Sequence, residues 1–209
     1  MTFLRMQKNR CVFFCLSRSI HGRITICRQR NENMAEGNLT MLNLVLFEPE
    51  IPYNTGNIGR TCVASGAGLH LIKPLGFQLT DKYIRRAGLD YWPRLHPTVH
   101  DDYAAFCRAA AGHRVWLATT KAHQVYTDVS FGPDDFIMFG PESRGIPEEI
   151  LTAHEEDCIR IPMMAGERSL NLCNSAAIVL YEALRQNHFS GLELHGALHH
   201  LVWKTDDFQ

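Results

Sequence analysis

The chain has 209 residues, 45% of them hydrophobic, enough to bury one core of ordinary domain size and too apolar for a disordered chain. No apolar run approaches the roughly 20 residues of a membrane span. Seven cysteines without a CxxC pair point to free thiols in a reducing compartment and away from a zinc site. The formal net charge of −1 conceals two unlike parts, because residues 1–40 carry seven Lys or Arg against Glu32 and Glu36, a net of +5 that leaves −6 for residues 41–209.

In chain order, the first 40 residues lack apolar periodicity beyond Val12–Leu16 and end in the polar stretch NENMAEGNLT. Three readings stay open: a basic arm that touches RNA, a transit-like segment, or an over-long start upstream of Met34 or Met41. The favoured expectation is a dispensable or disordered extension, since Met41 directly precedes the first convincing strand, Leu42–Glu48. After the turn PEIP, a helix is expected over Asn54–Ser65, a strand over Leu69–Ile72, a short basic helix over Asp81–Ala87 and a third strand over Leu95–Val99. An Ala-rich helix follows over Asp101–Ala111, with Phe106 and Cys107 facing inward. Val115–Thr119, Phe136–Gly140 and Cys158–Ile161 read as three more buried strands. A last helix, Asn174–Gln186, repeats Ala177, Ile178, Tyr181 and Leu184 at helical spacing. Strands alternating with helices predict an α/β fold with a mostly parallel sheet and helices on both faces, in a domain spanning 41–190 with a tail over 191–209.

Ligands of such sheets bind where the loops at the C-terminal strand ends converge. The polar residues of this chain fall there, in PEIPYNTGNIGRTC, LATTK, GPESRGIP and PMMAGERSLN. NTGNIG is neither GxGxxG nor a P-loop, so Gly56 and Gly59 serve either a ligand or close helix packing, with Asn54 as a helix cap. Arg60 is a surface ion-pair partner or a clamp for phosphate. Glu142 either caps the short helix beginning near Pro147 or gives a carboxylate to a ligand or to an RNA-facing loop. Ser169, Asn171 and Asn174 are either polar ligand contacts or a helix cap with its turns. His195, His199 and His200 have spacing compatible with a metal, but a partly ordered tail is the preferred reading, and no metal is expected.

NTGNIGR, FGPESRGIP and IPM followed by RSLNLCNSAAIVLYEA resemble the three motifs of the SPOUT superfamily of RNA 2'-O-methyltransferases. MLNLVLFEPEIPYNTGNIGR and RRAGLDYW are similar to its small single-domain branch, which modifies the wobble nucleotide of tRNA, position 34, whether C or U. The similarity runs from Met41 to about Gln186. It implies a C-terminal trefoil knot, an exception to the rule that chains do not knot. S-adenosylmethionine would lie bent in that knot, contacted at Leu117, Gly140, Ile161 and Ser169, the first three through backbone groups. The resemblance also implies a cytoplasmic homodimer whose partner subunit finishes the site. It places Arg60 beside the 2'-hydroxyl with Asn54 in support, and gives Glu142, Ser169 and Asn171 the remaining functional positions. A guanidinium stays protonated in water, so Arg60 is expected to hold a phosphate and stabilise developing alkoxide charge rather than act as a base. RNA contact, at the anticodon stem-loop, is expected from Lys82, Arg85, Arg86, Arg144 and Arg168. The rival readings are methylation of another tRNA position or of ribosomal RNA, and a nonenzymatic RNA-binding protein. The basic extension and the His-containing tail depart from the family pattern without touching its motifs.

Overall fold

Residues 41–78, 92–201 and 203 are described by a computed structural model. The expected extension over 1–40 and the basic helix bearing Lys82, Arg85 and Arg86 lie outside the described residues. The strands are β1 Asn43–Phe47, β2 Gly68–Ile72, β3 Thr98–His100, β4 Val115–Ala118, β5 Gln124–Val125, β6 Phe136–Phe139 and β7 Cys158–Arg160. The helices are α1 Pro52–Ser65, α2 Trp92–Leu95, α3 Tyr103–Ala109, α4 Glu148–Ala153 and α5 Leu172–Gln186. The strands form one sheet in the order β3-β2-β1-β6-β4-β7-β5, with every neighbouring pair parallel.

A parallel sheet covered on both faces needs strands that are apolar on both sides, and NLVLF, VWLA and FIMF meet that need. Alternate residues serve opposite cores. Leu44, Leu46, Trp116, Ile137 and Phe139 pack with Ile58 of α1 and Val179 of α5, while Val45, Phe47, Leu117, Phe136 and Met138 pack with Phe106 of α3 and Ile150 of α4. Helix α1 opens with Pro at its first turn and closes on Gly66 at φ 69°, the left-handed cap that glycine adopts freely. No described helix is long and apolar enough to cross a membrane.

The structure differs from the sequence expectation in four places. Leu95 ends helix α2 instead of beginning a strand, and β3 starts only after Pro97, whose missing N–H suits the first residues of an edge strand but not a ladder. The expected helix over Asp101–Ala111 is confined to α3, with Asp102 outside it as the N-cap, accepting from the Ala105 N–H at 2.6 Å. Strand β5, two half-buried residues at the sheet edge, has too little pattern to be read. Helix α5 begins at Leu172, and its cap is Asn171, not Asn174. Its buried stripe is Ala176, Val179, Leu180, Ala183 and Leu184, whereas Ile178 and Tyr181 are 37% and 45% exposed. SAAIVLYEAL is apolar nearly all round, so two stripes fit its period. Ala176 and Ala183 are buried in the same core as Ile58 and Cys62 of α1, and α5 packs against α1, so tertiary packing selects the observed one.

Candidate active site

Four loops leaving the C-terminal ends of β1, β4, β6 and β7 enclose a cavity of about 630 Å³, within the usual range for small-molecule sites. Its floor is apolar, with Phe139 and Ile159 from strand ends and Val179 from α5. Its rim is polar, with Thr119, Lys121, Glu142, Arg168, Ser169 and Asn171.

The loop after β6 is shaped by glycine. A Cβ on Gly140 would sit 2.2 Å from the carbonyl carbon of Gly145 and 2.2 Å from the amide nitrogen of Ile146, so the loop folds back on residue 140 at a distance only hydrogen permits. Gly145, at φ 73°, makes the return.

This fold-back aims Glu142 at the start of α1. The helix has no side-chain cap of its own. Instead one carboxylate oxygen of Glu142 accepts from the Glu50 N–H at 2.9 Å, while the other accepts from the Ile51 N–H at 3.3 Å and from Nδ2 of Asn54 at 2.9 Å. Glu142 thus satisfies amides at the opening of α1 and places negative charge at the positive end of its dipole. It does not cap α4, whose N-cap is Pro147.

Asn54 is buried at 4% exposure and links two loops. Its Nδ2 donates to Glu142, and its Oδ1 accepts from Nδ2 of Asn171 at 3.2 Å. Asn171 in turn caps α5, its Oδ1 accepting from the Cys173 N–H at 2.9 Å, and the Cys173 thiol lies 2.7 Å from the same oxygen. Asn54, Glu142 and Asn171, separated in sequence by up to 117 residues, therefore form one hydrogen-bonded chain across the loops after β1, β6 and β7.

The other residues singled out by sequence are placed as follows. Gly140, Ile161, Ser169 and Arg168 line the cavity. Leu117 is fully buried in the core beneath, paired through its strand to Met138 and Cys158, and the cavity wall there is Ala118 and Thr119. Arg60 is exposed on α1, and the cavity lining does not include it. At about 1.5 Å per residue it stands roughly 9 Å along the axis from Asn54, beyond the opening turn. Arg144 borders the cavity with its guanidinium on two carboxylates, Glu48 and, at 3.1 Å, Glu50. Among the described residues no group of three or more His, Cys, Asp or Glu is placed to hold a metal ion, and His199 and His200 are exposed with rings 6.3 Å apart.

Sequence patterns did not single out Glu50, Ser143 or Lys121. The Ser143 hydroxyl, bonded to the Glu50 carboxylate at 2.7 Å, together with nearby Arg144, holds that carboxyl below its ordinary range. Lys121 pairs with Glu148 at 2.6 Å and lowers its carboxyl likewise. The one hint was an acid in PEIP, between the first strand and the first helix.

An all-parallel α/β sheet whose strand-end loops wall a cavity, with amides and a carboxylate bonded across them, defines an α/β domain with a ligand-binding site at its strand ends. Residues 41–181 match the model of the SpoU rRNA Methylase family, and the chain belongs to that family. It is 51% identical over 152 residues to a tRNA (cytidine(34)-2'-O)-methyltransferase of Methylovorus glucosotrophus, covering 72% of this chain and 99% of the relative. The enzyme of the same name from Escherichia coli is 50% identical over 155 residues, covering 74% of this chain and 99% of its own length. A solved structure described as "Structural insights into the 2-OH methylation of C/U34 on tRNA" superposes with a TM-score of 0.67 at 45% identity, over 71% of this chain and 97% of that one.

Proposed function

We propose that this protein is a tRNA 2'-O-methyltransferase that transfers a methyl group from S-adenosylmethionine to the ribose of the wobble nucleotide, cytidine or uridine 34. The observation that carries the reading is identity near 50% across almost the whole length of relatives named for cytidine-34 methylation, in a chain whose site residues Asn54, Glu142 and Asn171 join in one network.

The cavity suits a nucleoside-sized methyl donor. Its volume of about 630 Å³, its apolar floor and the main chain of three strand ends, at Thr119, Gly140 and Ile161, supply a flat apolar contact beside backbone donors and acceptors. S-adenosylmethionine supplies a sulfonium methyl open to in-line attack. The protein has to bring the ribose hydroxyl into line, stabilise charge as its proton departs, and exclude water. In this reading Ser169 and the backbone at residues 117–119, 140 and 161 hold the donor. Arg60 lies against the phosphate and the forming alkoxide, and the Asn54–Glu142–Asn171 network fixes the wall that the ribose meets. Arg168 contacts the RNA backbone, as do Lys82, Arg85 and Arg86.

The same reading includes a trefoil knot and a cytoplasmic homodimer. Support for the knot comes from β7 entering the sheet beside β4 while the following loop, 161–171, shares the cavity with the loop after β6. Support for the dimer comes from Tyr53, Ile178 and Tyr181, apolar and exposed on α1 and α5, the helices that also carry Arg60 and Val179. In this reading the partner subunit finishes the site.

The test is methyl transfer from labelled S-adenosylmethionine to bulk tRNA, with nuclease mapping of the product, beside Arg60→Ala. Label in a 2'-O-methylated nucleotide at position 34, reduced on the order of 100-fold or more in Arg60→Ala, is expected. Label at another position overturns the substrate, and absence of transfer by the folded chain overturns the activity.

A further inference from the structure

The loops after β1 and β6 hold each other through a reciprocal pair of glutamates. Glu142 accepts from the main chain of residue 50, and Glu50 accepts from the main chain of residue 143. Its two carboxylate oxygens take the Ser143 N–H at 3.0 Å and the Ser143 hydroxyl at 2.7 Å, and the second also faces the Arg144 guanidinium at 3.1 Å. The Glu50 N–H donates the other way, to Glu142 at 2.9 Å. One residue is therefore bonded at both its ends to consecutive residues of the facing loop. Behind it the turn at Gly76 leaves no slack: the Gly76 N–H donates to the Pro49 carbonyl at 2.9 Å, and a Cβ at Gly76 would lie 2.7 Å from the Glu50 carbonyl oxygen.

This arrangement matters because Glu142 has a second task. The oxygen that accepts the Ile51 N–H also accepts from Asn54, and Asn54 carries the link to Asn171. A carboxylate on an exposed loop keeps one orientation only if the loop is fixed on both sides of it. Gly140 against Gly145 and Ile146 fixes the loop as a whole, and Glu50 on Ser143 fixes the residue that immediately follows Glu142.

We propose that Glu50 is a positioning residue for the methyl transfer, acting through Ser143 and Glu142 to hold Asn54, and with it Asn171, in the geometry the ribose meets. The inference rests on the methyltransferase reading above. It assigns Glu50 a part in kcat without contact to either substrate, and it makes Arg144 a counter-ion of the clasp between loops.

A double-mutant cycle tests it. Glu50→Gln keeps the side chain's size but turns an amide toward the two Ser143 donors. It is expected to lower kcat on the order of tenfold, with KM for tRNA and cofactor affinity shifted less than about twofold. In an Asn54→Ala background the same change is expected to have no further effect on kcat, because the residue it acts through is gone. Losses that multiply in the double variant, or a rise in KM with kcat kept, overturn the proposal. Ser143→Ala, which removes one donor from the clasp, replaces Glu50→Gln in the cycle should that variant fail to fold.

A second readout needs no RNA. In the free chain, Glu50→Gln is expected to speed solvent exchange of the Asn54 side-chain amide protons severalfold, measured by NMR, while amides of the central strands β1 and β6 keep their rates. Unchanged exchange at Asn54 overturns the proposal even if the wild-type chain proves inactive on tRNA, a result that would count against the methyltransferase reading alone.

Discussion

At the scale of single residues, the site rests on positions where chemistry allows few substitutes. Gly140 is the sharpest, since a methyl group there meets two main-chain atoms at 2.2 Å and neither is the free end of a flexible side chain. Gly140→Ala is therefore expected to cost about 2–4 kcal/mol of stability or to displace the loop that carries Glu142, read by urea denaturation alongside cofactor affinity. Of the arginines that line the cavity, Arg144 and Arg168 separate by their company. Arg144 is occupied by Glu48 and Glu50, whereas Arg168 is exposed on the rim. Arg168→Ala is expected to reduce the salt slope of tRNA binding by about one, and Arg144→Ala to leave that slope unchanged while loosening the loop, both measured as affinity against salt concentration. Asn54, Glu142 and Asn171 were legible because amides and acids at strand ends are unusual neighbours for buried strands. Glu50 was not, because its meaning lies in a partner 93 residues away that no local pattern names.

At the scale of elements, helix α5 does two jobs that a substitution can separate. Asn171 caps it through Oδ1 and reaches Asn54 through Nδ2. Asn171→Asp keeps the acceptor for the Cys173 N–H and places a negative charge at the helix N-terminus, but has no N–H for Asn54. Stability within about 0.5 kcal/mol of wild type with kcat reduced on the order of tenfold is the expected result, whereas Asn171→Ala should lose about 1 kcal/mol as well. Urea denaturation and steady-state kinetics on the same preparations distinguish the two. The existence of α1, α5 and the central strands was plain in the sequence, since long apolar periods specify an element whatever its neighbours. The face that α5 buries was not. Two apolar stripes run along it, and the choice between them is made by packing against α1 and the sheet, a tertiary fact.

At the scale of the whole molecule, the sheet divides two cores of different character. The α1/α5 core mixes aliphatic side chains with Trp116, Phe131 and Phe139, while the opposite one has an imidazole pair against Phe106 and Phe136 at its β2–β3 edge. His70 Nδ1 lies 2.9 Å from His100 Nε2 with the rings stacked, and Phe106 and Phe136 make T-shaped contacts with His70. One of the two nitrogens donates and the other accepts, so protonating both rings would break the contact. Burial first, and His100 second, push the His70 pKa down to about 4, and burial lowers that of His100. In the unfolded chain a histidine titrates near 6.5. Between these values the unfolded chain takes up a proton that the folded one refuses, so stability is full above about pH 6.5, falls as pH drops toward 4, and levels off below. The loss assigned to His70 is on the order of 3 kcal/mol. His70→Gln keeps a polar neighbour for His100 but does not titrate, so the difference in urea midpoint between pH 7 and pH 4.5 should shrink markedly in that variant. If the variant loses as much stability on acidification as the wild type, the sensitivity belongs to the other groups whose pKa is lowered in the folded state: His100 and His154, through burial, and at lower pH paired carboxylates such as those of Glu50 and Glu148, all giving a loss of the same sign.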